Sequence, residues 1–241
     1  MKVIVQNLAT EYKDEGSGSA FLLLHGWQDS LNTFDELAER LKGKYRIVRL
    51  DMPGFGQTEP PKTAWELQNY VDFVSAFIEK LGLDVAYIGG HSFGGRVAIK
   101  GIAMGVFSPE KVVLMDTAGF VKNTTAKNRF ITLLAKAGKK FVPERLKKKL
   151  YERIGSDYYA AGALKETFVK VINEDLSEYA TQIQIPTLLI WGEDDTATPL
   201  ADGKRFNELI RGSELKVIED AGHFVHREKP ESVAEYIERF L

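Results

Sequence analysis

The chain has 241 residues, 44% hydrophobic and 27% charged, with a formal net charge of −2. This composition suits a globular protein with a sizeable core, and the charge offers no footing for nucleic-acid binding. With no cysteine, disulfides, thiolate nucleophiles and thiolate metal sites are excluded.

Met1–Asn7 lacks the apolar stretch of a signal peptide, and no apolar run approaches transmembrane length. The expectation is a cytoplasmic protein with no membrane span. Two short strands are predicted at Lys2–Gln6 and Leu8–Lys13, then a turn-rich link over Asp14–Ser19. Ala20–Leu24 is a continuous apolar run, as in a strand buried on both faces of a parallel sheet. It ends in His25-Gly26-Trp27, and a helix follows with Phe34, Leu37, Ala38 and Leu41 on one face. Tyr45–Leu50 reads as a strand leading into the Gly- and Pro-rich loop Asp51–Gly56. A helix is expected over about Ala64–Leu81.

Val85–Gly90 is the next strand. Its exit carries Gly90-His91-Ser92-Phe93-Gly94, the spacing Gly-x-Ser-x-Gly, and a helix follows. Glycines on both sides let strand and helix approach without Cβ clashes, while the serine projects above the sheet beside unpaired N–H groups of the helix start. By itself the motif equally suits a helix-capping serine in a Gly-rich turn. Lys111–Met115 is a further strand, running into Asp116. The alternation then breaks: from about Phe120 to Ile183 only helical patterns are visible. Strand signals resume at Thr187–Trp191 and Glu214–Ile218, with a helix over Leu200–Ile210 between them and a final helix started by Pro230. Strict alternation predicts a doubly wound, mostly parallel eight-stranded α/β sheet. The core covers 1–119 and 184–241, with a helical cap, 120–183, inserted after the sixth strand.

In such sheets, sites form at the carboxyl ends of strands, where all the unusual loops lie. A serine nucleophile needs a base, and the base needs a carboxylate to fix its tautomer. His223 follows the last strand; Asp194 and Asp195 follow the strand before it, and Asp116 is a less favoured substitute. His25 is expected to make loop hydrogen bonds and His91 to pack under the sheet. His226 is expected to line the entrance or to be structural. No His/carboxylate cluster has metal-ligand spacing, and no phosphate-binding glycine pattern follows a strand.

Taken together, the motifs resemble the α/β-hydrolase fold family, of the small cap-bearing type that includes carboxylesterases, enol-lactonases, C–C bond hydrolases and cofactor-free haloperoxidases. His25-Gly26-Trp27 is similar to its oxyanion loop, and Asp51-Met-Pro-Gly54-Phe-Gly56 to its Asp-x-Pro-Gly-x-Gly loop, with Thr58 where serine is commoner. Gly90–Gly94 is similar to its nucleophile elbow. Trp191–Asp195 with Pro199 is similar to its acid loop, and Ala221-Gly222-His223 to its histidine loop. The resemblance implies Ser92 as nucleophile, His223 as base and Asp195 as acid, with the backbone N–H groups of Trp27 and Phe93 as oxyanion donors. It implies no cofactor and no metal.

The activity so implied is hydrolysis of a small-molecule carboxylic ester of small to medium acyl chain. C–C bond or enol-lactone cleavage by the same triad is the alternative, and a ligand-binding receptor on the same fold is the alternative of another class. Dehalogenase and epoxide hydrolase readings are disfavoured because those relatives carry Asp where this chain has Ser92. Residues 120–155 hold eleven Lys/Arg against two Glu. Such a run is usually a solvated face, but it raises the expectation of an anionic substrate, an anionic membrane surface or an acidic partner. Phe120, Phe130, Leu133, Leu134, Phe141 and Tyr159 are candidates for an apolar pocket or for the cap's own core.

Overall fold

The structure, a computed structural model, describes residues 1–121 and 162–241. Short, mostly apolar runs build the interior strands of its sheet: every residue of β3 (Ala20–Leu24) and of β7 (Thr187–Gly192) is buried. Around them lie β1 (Lys2–Val5), β2 (Leu8–Glu15), β4 (Arg46–Leu50), β5 (Val85–His91), β6 (Lys111–Met115) and β8 (Glu214–Ile218). The eight strands are ordered β1-β2-β4-β3-β5-β6-β7-β8. Only the β1–β2 and β2–β4 pairs are antiparallel.

Side chains alternate across this sheet with the two-residue period of a strand. Leu22, Leu24, Val48, Leu50, Ile88, Val112 and Leu114 enter one core. It is closed by α2 (Leu67–Leu81), α3 (Phe93–Ala103) and α6 (Leu200–Leu209). Phe21, Leu23, Ile47, Val113 and Met115 enter the other, closed by α1 (Asp35–Leu41) and α8 (Pro230–Phe240). The doubly wound, mostly parallel eight-stranded sheet is therefore the observed architecture.

Two boundaries differ from expectation by more than one residue. The second strand continues through Asp14 and Glu15, which pair with Val48 and Ile47 of β4. Asp14 also takes two hydrogen bonds from the Arg46 guanidinium, at 2.9 and 2.7 Å, so its acidic side chain is partnered in the strand. Helix α2 starts three residues late. Glu66 stays extended and donates its N–H to Asn69 Oδ1 at 2.8 Å, one half of a capping box.

Between β6 and β7 the described residues 162–183 contain α4 (Lys165–Ile172) and α5 (Ser177–Gln182) and no strand. Most of the expected cap, residues 122–161, lies outside the described residues, together with Phe130, Leu133, Leu134, Phe141, Tyr159 and most of the basic run. Phe120 is described: it stacks on Phe206 at 4.4 Å under the Arg205 guanidinium at 4.0 Å.

Candidate active site

Ser92 joins the end of β5 to the start of α3 at φ +49°, ψ −108°. A non-glycine residue there carries strain of about 1–3 kcal/mol and persists only when its surroundings hold it. The Ser92 N–H donates to the Met115 carbonyl at 3.0 Å, and its own carbonyl accepts from the Arg96 and Ala118 N–H groups at 3.3 Å. Strand and helix pack so closely that a Cβ on Gly90 would come within 2.6 Å of the Gly94 carbonyl carbon, and one on Gly94 would collide with the Leu24 carbonyl. Both glycines are thus fixed by backbone contact.

The acid loop leaves β7. Asp194 is exposed, whereas Asp195 is 4% exposed. Asp195 Oδ1 accepts the N–H groups of Ala197 at 2.8 Å and Thr198 at 2.9 Å, and Oδ2 accepts the Thr198 hydroxyl at 2.6 Å and His223 Nδ1–H at 2.8 Å. Burial pushes its pKa up, but the hydrogen bonds from His223 and Thr198 outweigh that and hold the carboxyl below the ordinary aspartate value. With Nδ1–H directed at Asp195, His223 turns a lone pair on Nε2 toward the Ser92 hydroxyl, 3.1 Å away.

Strand β8 lies at the sheet edge, so the loop bearing His223 must reach back across the ends of β7 and β6. Asp116, at the end of β6 with φ +42°, holds it there. Its Oδ1 accepts the Gly192 N–H at 2.9 Å and its Oδ2 the Val225 N–H at 3.1 Å. It is therefore a clamp between the acid and histidine loops rather than a substitute acid, since it makes no bond to His223. Burial first, with the nearby Asp195, raises its pKa to about 8 against those two N–H bonds. Glu228, in α7 (Val225–Glu228), adds bonds to the N–H groups of Gly222 at 2.7 Å and Phe224 at 3.2 Å.

The His25-Gly26-Trp27 loop abuts the serine: a Cβ on Gly26 would lie 3.6 Å from Ser92 Cβ. His25 makes the expected loop bonds, Nδ1–H to the Gly26 carbonyl at 2.7 Å and Nε2 accepting the Met52 N–H at 2.9 Å. Trp27 packs against Phe55, Phe93 and Phe168. Phe93 is the first residue of α3, so its N–H has no acceptor within the helix. His226 is buried and structural, with Nε2 2.9 Å from Thr33 Oγ1, and does not line an entrance. His91 is buried as expected, but against the ring of His223 at 4.9 Å rather than beneath the sheet.

Sequence reasoning passed over Thr198, Arg96 and Lys100. Thr198 had a signal, a hydroxyl three residues after an aspartate, the spacing of a local side-chain turn. Arg96 gives its guanidinium to the carbonyls of Val171, at 2.7 Å, and Glu174. Lys100 reaches the Glu174 carboxylate at 2.6 Å. A surface cavity of about 540 Å³, lined by Asp35, Glu36, Phe224, Arg227 and Glu228 among others, excludes Ser92, Asp195 and His223. Among the described residues no group of His, Asp or Glu could hold a metal ion, and no helix is long and apolar enough to cross a membrane.

Residues 21–236 match the model of the Alpha/beta hydrolase family. An uncharacterized hydrolase of Bacillus subtilis, YugF, is 28% identical over 98% of this chain and 94% of its own length. The 2-hydroxy-6-oxononadienedioate/2-hydroxy-6-oxononatrienedioate hydrolase of Klebsiella pneumoniae is 26% identical over 98% of this chain and 92% of its own. The solved structure of an esterase from Exiguobacterium antarcticum superposes with a TM-score of 0.79 over 99% of this chain and 98% of that one. At 22% identity it speaks to the fold alone.

Proposed function

The chain belongs to the alpha/beta hydrolase family, and from that premise we propose that it is a serine hydrolase cleaving carboxylic esters of small to medium acyl chain. The observation that carries the reading is the unbroken line Ser92 Oγ, His223 Nε2, His223 Nδ1, Asp195 Oδ2, with spacings of 3.1 and 2.8 Å. Ser92 attacks the carbonyl carbon as its proton passes to His223 Nε2. Asp195, kept ionised by its four donors, stabilises the imidazolium. The backbone N–H groups of Phe93 and Trp27 receive the developing oxyanion; one such donor is worth about 10²–10³ in turnover. His223 then protonates the leaving alkoxide, and the acyl-enzyme is released by water that gives its proton to the same nitrogen.

The test is hydrolysis of a p-nitrophenyl ester series of rising acyl length by the parent and by Ser92→Ala. Turnover that disappears in the variant is the expected result, and the chain-length optimum sizes the pocket. Equal activity in both would overturn the mechanism. A second reading, C–C bond cleavage of a vinylogous diketone by the same residues, is favoured by the similarity to the Klebsiella hydrolase over nearly the whole chain. Turnover of a ring-fission product without turnover of simple esters would select it. The basic composition of 120–155 further motivates an anionic substrate or acidic partner. Its sign is a Michaelis constant or binding that weakens as salt rises; activity and binding unchanged between low and high salt exclude it.

A further inference from the structure

His91 directly precedes Ser92 and has no part in the mechanism above. Its ring is buried. It lies 4.5 Å from the ring of His226 and 5.2 Å from that of Phe224, in addition to its contact with His223. Its Nε2 is 2.7 Å from the main-chain oxygen of His223. A carbonyl oxygen only accepts, so the His91 proton sits on Nε2. Burial first, then the adjoining His226 and His223, holds the pKa of His91 well below the ordinary histidine value. The ring is therefore neutral, with a bare Nδ1 that has no hydrogen-bond partner among the described residues.

We propose that His91 is a positioning residue that fixes the main chain of His223 beside the nucleophile. Consecutive residues then grip the base at two points: His91 holds its carbonyl, and Ser92 meets its Nε2. The grip answers a specific problem. His223 sits on a loop reaching in from the edge of the sheet, and a misplacement of about 1 Å costs on the order of 10²-fold in rate. The clamps from Asp116 and Glu228 hold residues 222, 224 and 225. The bond from His91 holds residue 223 itself. This inference rests on the serine-hydrolase reading.

The experiment uses a fluorophosphonate probe, whose capture by Ser92 needs the base but not the natural substrate. His91→Phe keeps an aromatic ring and removes the donor; His91→Gln keeps an N–H donor. The expected result is capture about 10- to 100-fold slower in the Phe variant and mostly restored in the Gln variant. Equal rates in parent and Phe variant overturn the proposal, as does equal slowing of both variants, which would reduce His91 to packing. A parent that does not capture the probe at Ser92 rejects the serine reading itself and the inference with it. The His91 tautomer, read by nitrogen NMR on the parent alone, must be Nε2–H. Finding Nδ1–H overturns the proposal even if neither variant folds.

Discussion

Asp194 and Asp195 are chemically identical neighbours, and the turn of the 193–198 loop alone separates them. Asp195 points inward onto two backbone N–H groups, one hydroxyl and His223, while Asp194 faces solvent. Asp195→Asn presents an N–H₂ where His223 needs an acceptor, so turnover is expected to fall about 10³- to 10⁴-fold. Asp194→Asn is expected to stay within about twofold. Steady-state kinetics of the pair decide it, and comparable losses in both variants would reject the assignment of Asp195. At this scale Ser92 and His223 were legible because each sits in a motif at the carboxyl end of an apolar strand. Thr198 left a weaker sign, its three-residue spacing from Asp195, and His91 none, because it acts through a contact with a distant loop that no local spacing encodes.

Helix α3 begins directly after Ser92 and, one and two turns later, carries Arg96 and Lys100 toward the segment returning to β7. Arg96 is 3% exposed, and its bonds end on main-chain carbonyls rather than on a carboxylate. Burial, opposed by Glu174 and Asp175, lowers its pKa only to about 10, so it stays charged at neutral pH. Arg96→Met leaves the Val171 and Glu174 carbonyls without this donor, and a loss of about 2–4 kcal/mol is expected. Faster amide exchange across 165–182 should accompany it. Exchange unchanged from the parent would show that α3 does not anchor this segment. Elements were legible where periodicity was strong, as in the fully buried β3 and β7. Their ends were less so, because Glu15 and Glu66 take their conformations from cross-strand pairing and capping. A basic residue on an apolar helix face gave no sign that its partners lay some 75 positions away.

Titration of the whole molecule follows from how many histidines fold uncharged. His226 is held at about 3 by burial first, then by Arg227 and His223, and His25 and His91 are lowered in the same direction, burial being the first cause for both. Unfolded, each would titrate at its ordinary value of about 6.5. Between the folded and unfolded values the unfolded chain binds more protons, so their contribution is present above about pH 6.5 and is lost as pH falls through each folded value, which for His226 is about 3. His226 alone is worth on the order of 5 kcal/mol across that window. Asp116 works the other way: raised to about 8, its contribution is present below about 4 and lost as pH rises through 8. The three histidines, joined on the acid side by the lowered carboxyls of Asp195, Asp35 and Asp175, outweigh Asp116 there and predict a thermal midpoint that climbs steeply from acid toward neutrality and then turns down. His226→Gln keeps a partner for Thr33 and cannot charge, so its acid limb should be shallower than the parent's. Parallel acid limbs would mean that His226 already takes up its proton in the folded protein. A charged ring 4.5 Å from His91 would then have to be accommodated beside His223, and the neutral cluster that seats His223 would have to be abandoned.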